Sequence, residues 1–593
     1  MFFKARMVSL VFMLIAMASG MVSVVPAQAA IKSTPTGSGT PVLTATVPPK
    51  YTETATSTFT ATSSPTSTTT VTSTSEYQPT IRYVKWDATG ANDGTSWTNG
   101  FTDLQLALAA ASSGDEIWVA TGVYKPTSGT DRSVSFVLKN GVAVYGGFAG
   151  TEILRDQRDL ALNPTILSGD IGVVNDNSDN SYHVVVSSNT DNTTVLDNFL
   201  ITGGNANAYP HDKGGGIYND RGSPTIMAVS IERNYATFGG GMYNGDTQNG
   251  MTSLGSHPTL VNVNFISNSA VEGGGMENQF SSSPSITNAW FYANTAIRSG
   301  GGMLNMYNSN PALTQVDFVK NDAAAGGGMA NEQSSPSLTD VTFRENLASA
   351  HGGGMSNVNG SNPILRNVTF SDNTAVDAQD TYGGGMSNYL SSPALTNVTF
   401  HNNSATYGGG ILNRDANSNP TLIHVTLSGN RAFVTGGGIA NSGNVVIRNS
   451  ILWGNEGGEV FNVDGTADVT YSIVQGGYPG AGNLNADPLL GPLQSNGRGL
   501  TETMELLPGS PAIDAGDDAY CPSADQRGVI RPQGSHCDMG AYEYEFPVSP
   551  TPTLTYTPTL TPTFTPTPTL TPTNTPTPTA TSRPGKPTKT PRR

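Results

Sequence analysis

The stretch Gly-Gly-Gly-Met-Ala-Asn-Glu-Gln-Ser-Ser-Pro-Ser-Leu-Thr-Asp-Val-Thr-Phe-Arg-Glu-Asn-Leu-Ala-Ser-Ala-His, residues 326–351, is one unit of a repeat that fills the middle of the chain. Its opening, Gly-Gly-Gly-(Met/Ile)-x-Asn, occurs nine times, and successive copies begin 25 to 34 residues apart. The copies start at Gly214, Gly239, Gly273, Gly300, Gly326, Gly352, Gly383, Gly408 and Gly436. A repeat of this length is typical of a solenoid, in which each unit packs on its neighbours.

The second half of the unit has the alternation of a β-strand. Val341 and Phe343 lie two residues apart, which is the period of a strand with one buried face. The three-residue step from Leu338 to Val341 breaks that period and predicts a bend between two short strands. Apolar residues do not recur at helical spacing and β-branched residues are frequent, so the unit predicts strands and no helix.

Stacked units predict a single-stranded parallel β-helix, because equivalent strands then pair about 4.8 Å apart. Equivalent side chains stack as well, so we expect columns of phenylalanine, methionine and mutually hydrogen-bonded asparagine. These columns are Phe265, Phe291, Phe318, Phe343, Phe370 and Phe400; Met276, Met303, Met329, Met355 and Met386; and Asn268, Asn294, Asn321, Asn346, Asn373 and Asn403. The glycines then provide the turns between strands, where positive φ and close stacking are needed.

The two ends of the chain differ from this body. Residues 1–29 predict a secretory signal, since Lys4 and Arg6 precede an apolar run and Ala27-Gln28-Ala29 matches a cleavage site. An uncleaved anchor is the alternative. Residues 30–80 and 548–593 are rich in Thr, Ser and Pro, which predicts extended or glycosylated spacers and a disordered tail. We therefore expect a secreted, cell-surface protein that is not an integral membrane protein after signal removal.

The body, residues 81–547, is predicted to be one β-helix domain with an N-terminal cap at 81–125, glycine repeats at 203–455 and a C-terminal cap at 478–547. Both ends of an open solenoid need covering. At the N-terminal end, residues 101–111 predict an amphipathic helix with Thr102 as its capping residue.

At the other end, Cys521 and Cys537 are expected to form a disulfide in a segment that closes the solenoid. Free thiols or a metal pair are the alternatives.

The formal net charge of the chain is −16, although the signal and the tail are both positively charged. The body is therefore strongly acidic, which argues against nucleic acid as a partner. Such a charge is compatible with a neutral or cationic ligand and with calcium. The sequence predicts no oligomeric state.

The pairing of Gly-Gly-Gly-(Met/Ile) with Phe-x-x-Asn resembles the repeats of the polymorphic outer-membrane protein family, whose passenger domains are right-handed parallel β-helices that act in adhesion. Two departures are that the family's short motif is Gly-Gly-Ala-(Ile/Leu) and that no C-terminal membrane barrel follows here. The resemblance covers residues 203–455. It implies the fold and its hand, and not autotransport.

Other segments resemble bacterial β-helix proteins of the pectin-lyase-like superfamily. The opening segments are Asn92-Asp-Gly-Thr-Ser-Trp97, Gly114-Asp-Glu-Ile-Trp-Val119, Ser168-Gly-Asp-Ile171 and Tyr182-His-Val184. The closing segments are Ser510-Pro-Ala-Ile-Asp514, Asp525-Gln-Arg-Gly528, Arg531-Pro532 and Asp538-Met-Gly-Ala-Tyr-Glu543. Together they span the body and imply an exported right-handed β-helix, in agreement with the right-handed bias of parallel crossovers. One fold hosts many functions, so activity does not follow.

One column of charged residues is the candidate catalytic site. Aligning the units on their phenylalanines places Lys320, Glu345 and Asp372 at one position of three neighbouring coils, with Arg344 and His401 one residue earlier in theirs. Polysaccharide lyases and hydrolases of this fold use carboxylates, a basic residue and calcium, which would give these side chains such roles. A solvated face of alternating charges is the simpler interpretation.

A second acidic group is the candidate calcium site. Asp170, Asp176 and Asp179 lie close together in one loop, with Asp191 further along, although Asp-rich loops are most often turns. Calcium is the one cofactor that the sequence suggests. The leading hypothesis is a non-catalytic, adhesive, glycan-binding or structural surface protein, and the alternative is a lyase or glycoside hydrolase that acts on acidic polysaccharide.

Overall fold

A computed structural model describes residues 79–159, 161–246, 254–376, 380–497 and 500–546. The predicted signal, almost all of the first Thr-rich segment and the tail lie outside these residues. Among the described residues, no helix has the length and apolar character needed to cross a membrane.

The chain folds into a parallel β-solenoid with three long sheets, as the repeat predicts. Sheet A has 20 strands, sheet B has 12 and sheet C has nine. In each complete coil the chain passes from sheet B to sheet A, then to sheet C, and returns to sheet B through a glycine triplet. Every strand pair in these sheets is parallel, and equivalent residues of successive units lie opposite each other.

Sheet A consists of Ile81–Val84, Glu116–Ala120, Gly122–Tyr124, Ala143–Phe148, Thr165–Ser168, Val195–Asp197, Leu200–Thr202, Thr225–Met227, Ser230–Glu232, Thr259–Ile266, Ser285–Tyr292, Ala312–Val319, Ser337–Arg344, Ile364–Ser371, Ala394–His401, Thr421–Ser428, Asn444–Arg448, Ile451–Trp453, Thr466–Thr470 and Ile473–Val474. Sheet B consists of Phe136–Val137, Val185–Ser188, Ile217–Asp220, Met242–Gly245, Met276–Asn278, Met303–Met306, Met329–Glu332, Met355–Val358, Met386–Tyr389, Ile411–Asn413, Ile439–Asn441 and Val460–Asn462.

Sheet C consists of Asn205–Ala206, Tyr235–Phe238, Ser269–Glu272, Thr295–Ala296, Asp322–Ala325, Leu347–His351, Thr374–Ala375, Ser404–Tyr407 and Arg431–Thr435. An antiparallel hairpin, Leu490–Gln494 with Thr503–Leu506, stands apart from the sheets. The helical elements are α1, Leu104–Ala110, and two 3-10 turns at Arg155–Gln157 and Asp518–Tyr520.

The interior contains the predicted phenylalanine column. The rings of neighbouring coils stack with centroids 4.5 to 4.8 Å apart and nearly parallel planes. The methionines of the glycine motif are fully buried beside them. Burial of large apolar side chains in every coil is the main source of stability, since each contributes roughly 1.5–3 kcal/mol.

Asparagine ladders satisfy the buried polar groups at two corners of the coil. In the predicted ladder, the side-chain amide of Asn321 donates to Oδ1 of Asn346 at 3.0 Å, and Asn346 donates to Asn373 at 2.9 Å. The asparagine of the glycine motif forms a second ladder that sequence reasoning did not identify. In it, Asn331 donates to Asn357 at 2.8 Å and Asn357 to Asn388 at 2.9 Å.

The predicted bend lies within each long strand of sheet A. One residue per coil takes a positive φ there, for example Gln315 at 58° and Asp340 at 56°. The bend folds sheet A around its outer face, and the side chains at the bend form a column on that face. Its members are Asn262, Asn288, Gln315, Asp340, Asn367, Asn397, His424 and Asn449.

Helix α1 covers the first coils and is shorter than the predicted 101–111. Its capping residue is Asp103, whose carboxylate accepts the Gln105 N–H, so the assignment of Thr102 was wrong. Thr102 instead donates its own N–H to Asn92. Phe101 forms a β-bridge with Val84, which delays the start of the helix.

The predicted disulfide joins Cys521 to Cys537, with Cα atoms 6.1 Å apart. It belongs to the closing segment, residues 500–546, which lies along the flank of the solenoid rather than across its end. There the segment packs on the outer face of sheet A, where Thr369 donates to the Glu502 carbonyl at 2.7 Å and Thr399 to Gln526 at 2.7 Å. The small polar side chains that face outward on these strands allow this close packing.

Candidate functional site

The glycine triplets shape a concave corner between sheets C and B. In the triplet 352–354, Gly352 has φ +65°, which favours glycine. A Cβ on Gly353 would lie 2.7 Å from the Thr374 backbone, and one on Gly354 would lie 2.7 Å from the Phe370 ring. A side chain would therefore be strained or would clash at each of the three positions, and the triplet forms a compact turn. We give the name corner groove to the outer surface along these turns, between the ends of the sheet C strands and the starts of the sheet B strands.

Two sets of side chains border the corner groove. One set precedes each glycine triplet at the end of sheet C, and the other follows it on the outer face of sheet B. The first set includes His351, Tyr382 and Tyr407, which β-bridges hold side by side. Their rings follow one another at 5.2 and 5.6 Å. The structure thus builds an aromatic row along the groove.

Arg414 crosses the corner groove from the sheet B side. Its guanidinium lies 4.7 Å from the Tyr382 ring centroid and 5.7 Å from that of Tyr389. In the preceding coil, Ser387 lies opposite Leu412 in the strand register and is buried. Within the described part of the chain, no carboxylate forms an ion pair with Arg414. A partly exposed cation between aromatic rings is suited to binding an anionic group.

Burial and charge shift the pKa values of the side chains in the aromatic row. Burial, with a further contribution from the positive charge of Arg414, lowers the pKa of His351 to about 4. This histidine is therefore neutral near neutral pH. Its Nδ1 is buried without a hydrogen-bond partner among the described residues. Burial also raises the pKa values of Tyr382 and Tyr407, so both keep their hydroxyl protons.

A second aromatic cluster lies at the other end of the corner groove. Tyr218 stacks on His183 at 5.0 Å and on Tyr243 at 6.0 Å. The ammonium of Lys213 lies 5.9 Å from the Tyr243 ring. Five coil steps separate Tyr243 from Ser387, so the two clusters are roughly 24 Å apart at the 4.8 Å spacing of paired strands. Small and apolar side chains such as Leu304 and Ala330 lie between them.

Glu277 is the one fully buried carboxyl group on this side of sheet B within the described residues. It follows Tyr243 in the strand register. Burial, reinforced by the charge of Glu272, raises the pKa of Glu277 well above its usual range. Its Oε1 accepts from Gln279 at 2.5 Å, while Oε2 has no hydrogen-bond partner among the described residues. Glu277 is thus a buried carboxyl group beside Tyr243 of the second aromatic cluster.

The predicted charge column lies elsewhere, on the turn that follows sheet A. Lys320 and Glu345 form an ion pair at 3.4 Å, and Arg344 lies 3.8 Å from the same carboxylate. All three side chains are about half exposed. Asp372 accepts from Asn402, and the His401 ring contacts the Ser428 carbonyl at 3.1 Å. The structure therefore brings three of the five together as a solvated ion-pair cluster.

The carboxylates of the predicted calcium residues accept hydrogen bonds from backbone N–H groups of their own loop. Asp170 accepts the Asn175 N–H, Asp176 accepts that of Ser178 and Asp179 that of Val173. Among the described residues, no group of three or more His, Cys, Asp or Glu side chains is arranged to hold a metal ion.

Sequence reasoning did not identify His351 or Arg414 as members of a site. The missing signal was the residue that precedes each triplet, which is aromatic or histidine at Phe238, His351, Tyr382 and Tyr407.

Comparison with known proteins adds solved structures of low similarity. No protein-family model and no curated protein matches the chain, so the resemblance to polymorphic outer-membrane proteins stays a prediction. The chain is similar to a pectate lyase, Pel9A, with 16% identity over 78% of this chain and 96% of that one, at a TM-score of 0.37. It is also similar to XylC, solved in complex with xylose, with 10% identity over 78% and 98% of the two chains and a TM-score of 0.34. Likenesses of this size add no argument about activity.

Proposed function

We propose that the protein is an exported, non-catalytic β-helix that binds an acidic polysaccharide in the corner groove. The observation that carries the proposal is Arg414, whose guanidinium lies over the rings of Tyr382 and Tyr389 and forms no ion pair with a carboxylate among the described residues. Export is supported by residues 1–29, which have the pattern of a secretory signal.

The chemistry of the aromatic row supports a sugar chain as the ligand. Flat aromatic faces pack on the apolar faces of sugar rings, and tyrosine hydroxyls and the imidazole nitrogen of His351 offer polar contacts. A guanidinium binds a carboxylate through two parallel hydrogen bonds, which suits uronate units. Because the protein is acidic, binding of a polyanion requires such a local cation.

The absence of catalysis is part of the proposal. The predicted column of Lys320, Arg344 and Glu345 is half exposed and internally paired, which is typical of a solvated surface. Catalytic groups are more often buried and held apart from neutralising partners.

A catalytic function is the second candidate, and Glu277 favours it. Glu277 is a buried carboxyl group beside Tyr243, and burial raises its pKa, as is typical of general acids.

The test measures binding and turnover with the same preparations. Purified full-length protein is incubated with polygalacturonate, alginate and a neutral glycan, and bound fraction and released unsaturated or reducing ends are recorded. We expect Arg414→Ala to weaken polyuronate binding about tenfold to a hundredfold, as for a lost charged hydrogen bond, and to leave neutral glycan binding unchanged.

Arg431→Ala is the matched control, since Arg431 also lies over an aromatic ring, 4.6 Å from Phe433, but has an ion pair with Glu456. Equal losses in the two variants would contradict the role of Arg414. Release of chain ends that disappears in Glu277→Gln would establish the enzyme and overturn the non-catalytic proposal.

A further inference from the structure

The outer face of sheet A is covered in its C-terminal half and open in its middle. The open part, which we call the open trough, lies over the strands Thr259–Ile266, Ser285–Tyr292, Ala312–Val319 and Ser337–Arg344. Trp290 and Tyr292 project from it with ring centroids 4.4 Å apart. Trp290 is 37% exposed, which is unusual for so large an apolar side chain.

The covered part shows what this face binds within the same molecule. The closing segment runs over the next strands, and the amide column at the bend donates to its main chain. Asn397 donates to the Ala524 carbonyl at 2.9 Å, and Asn449 donates to the Asp517 carbonyl at 2.9 Å. The face therefore binds main-chain carbonyls of another segment of the same chain, which here includes the 3-10 turn Asp518–Tyr520.

The same column continues into the open trough with exposed amides. Asn262, Asn288 and Gln315 occupy the positions that Asn397 and Asn449 have in the covered part. The amide of Asn288 bonds to Asn262 along the column at 2.6 Å, as Asn397 does to Asn367. Peptide-binding positions thus extend beyond the segment that occupies the first part of the face.

We propose that the open trough is the docking site of the chain's own Thr-Pro-rich tail, residues 548–593. This tail follows directly after the closing segment, which already lies on the same face. Its Thr-Pro repeats favour the polyproline II conformation, and proline-rich segments of that kind dock on aromatic surfaces such as the Trp290 and Tyr292 pair.

Length and charge are compatible with this docking. Gln526 of the closing segment donates to Thr369, and the adjacent Arg527 pairs with Glu545 near the start of the tail. Three coil steps, roughly 14 Å, separate Thr369 from the Trp290 row. A polyproline II segment advances about 3.1 Å per residue, so about five residues of the tail span that distance. The tail has basic residues and no acidic ones, whereas the chain as a whole is acidic. Asp317 lies in the open trough, and at its border Glu345 is paired with Lys320 and Arg344.

The test places a photo-cross-linking residue in the full-length protein. Trp290→p-benzoylphenylalanine is compared with the same substitution at Trp86, which is 59% exposed near the other end of the chain. After irradiation, cross-linked peptides are identified by mass spectrometry and the products are sized. We expect position 290 to link to residues 548–593 of the same chain, and position 86 to give no such links. Both sites are exposed, so neither substitution removes a buried side chain.

Each other outcome overturns the proposal. Equal linking from both positions would mean that the tail has no preferred site. Links from position 290 between two chains would assign the trough to a second copy. The absence of links from position 290 to the tail would mean that the tail does not lie on the trough. As a composition control, a peptide of residues 51–75, rich in Thr and Ser but poor in Pro, should not compete when added in excess.

Discussion

The covered and the open parts of sheet A's outer face have the same backbone and different outward side chains. In the covered part, Thr369 and Thr399 are fully buried and hydrogen-bonded to the closing segment. In the open part, the equivalent positions are Trp290 and Asp317, which are exposed. The core ladders continue unchanged beneath both. The scaffold therefore leaves the outer face free to vary.

The largest expected effect concerns how stably the closing segment is held on the outer face of sheet A. Arg531 and Glu543 form a fully buried ion pair in the closing segment at 2.8 Å. We expect Arg531→Ala to destabilise the segment by about 3–5 kcal/mol, because it leaves a buried carboxylate without its partner. Hydrogen exchange at the strands Ile364–Ser371 and Ala394–His401 measures the effect.

Arg431→Ala is the control, since the Arg431 and Glu456 pair is more than half exposed and should contribute no more than about 1 kcal/mol. If Arg531→Ala left hydrogen exchange unchanged, the closing segment would be held by other contacts.

The stability of the closing segment should depend on pH with a smaller effect, to which Asp538 and His424 contribute in opposite directions. Burial, aided by the charge of Glu543, raises the pKa of Asp538 to about 7. Between its usual value of about 4 and 7, the folded state binds the additional proton, so this contribution to stability is lost as pH rises.

Burial lowers the pKa of His424 well below its usual value. Its contribution is present above about pH 6.5 and is lost as pH falls below that. We expect Asp538→Asn to remove the aspartate contribution and to leave those of His424 and of Glu543, whose pKa burial also raises. The segment should then loosen on acidification below pH 6.5 more than in the unmodified protein, by up to about 1.4 kcal/mol per pH unit. Thermal unfolding of the segment, followed from pH 4 to 8, measures this. A variant that became less stable towards alkaline pH would contradict the assignment.

The amide column gives the smallest expected effect. Asn397 donates to the closing segment, whereas Asn288 donates only to its neighbour Asn262 on the surface. We expect Asn397→Ala to cost about 1 kcal/mol and Asn288→Ala less than about 0.5 kcal/mol in urea unfolding. Equal costs would mean that the column acts only within itself and not as a peptide-binding row.

The repeat sufficed to predict the solenoid because every core position recurs once per coil. Phe343 and Asn346 have equivalents at fixed offsets, so strand, bend and ladder all follow from one unit. The candidate charge column was predicted in the correct register, but its exposure depends on which segments cover the surface.

The corner groove was not predictable in the same way. Arg414 contacts Tyr382 of the preceding coil, and such a contact depends on two residues that do not recur in every unit. The position of the closing segment on the flank of the solenoid could not be predicted either. It depends on contacts that do not repeat and that join residues more than 100 positions apart, such as Asn397 with Ala524.

The two asparagine ladders also fix distances along the solenoid by the number of coils and not by the number of residues. Asn244 bonds Asn278 at 2.8 Å although 34 residues separate them, and Asn278 bonds Asn305 at the same distance across 27. A longer unit therefore leaves the spacing of the ladder unchanged, and its asparagine still bonds to that of the next coil. The length of the rod changes only when a whole unit is gained or lost, in steps of about 4.8 Å.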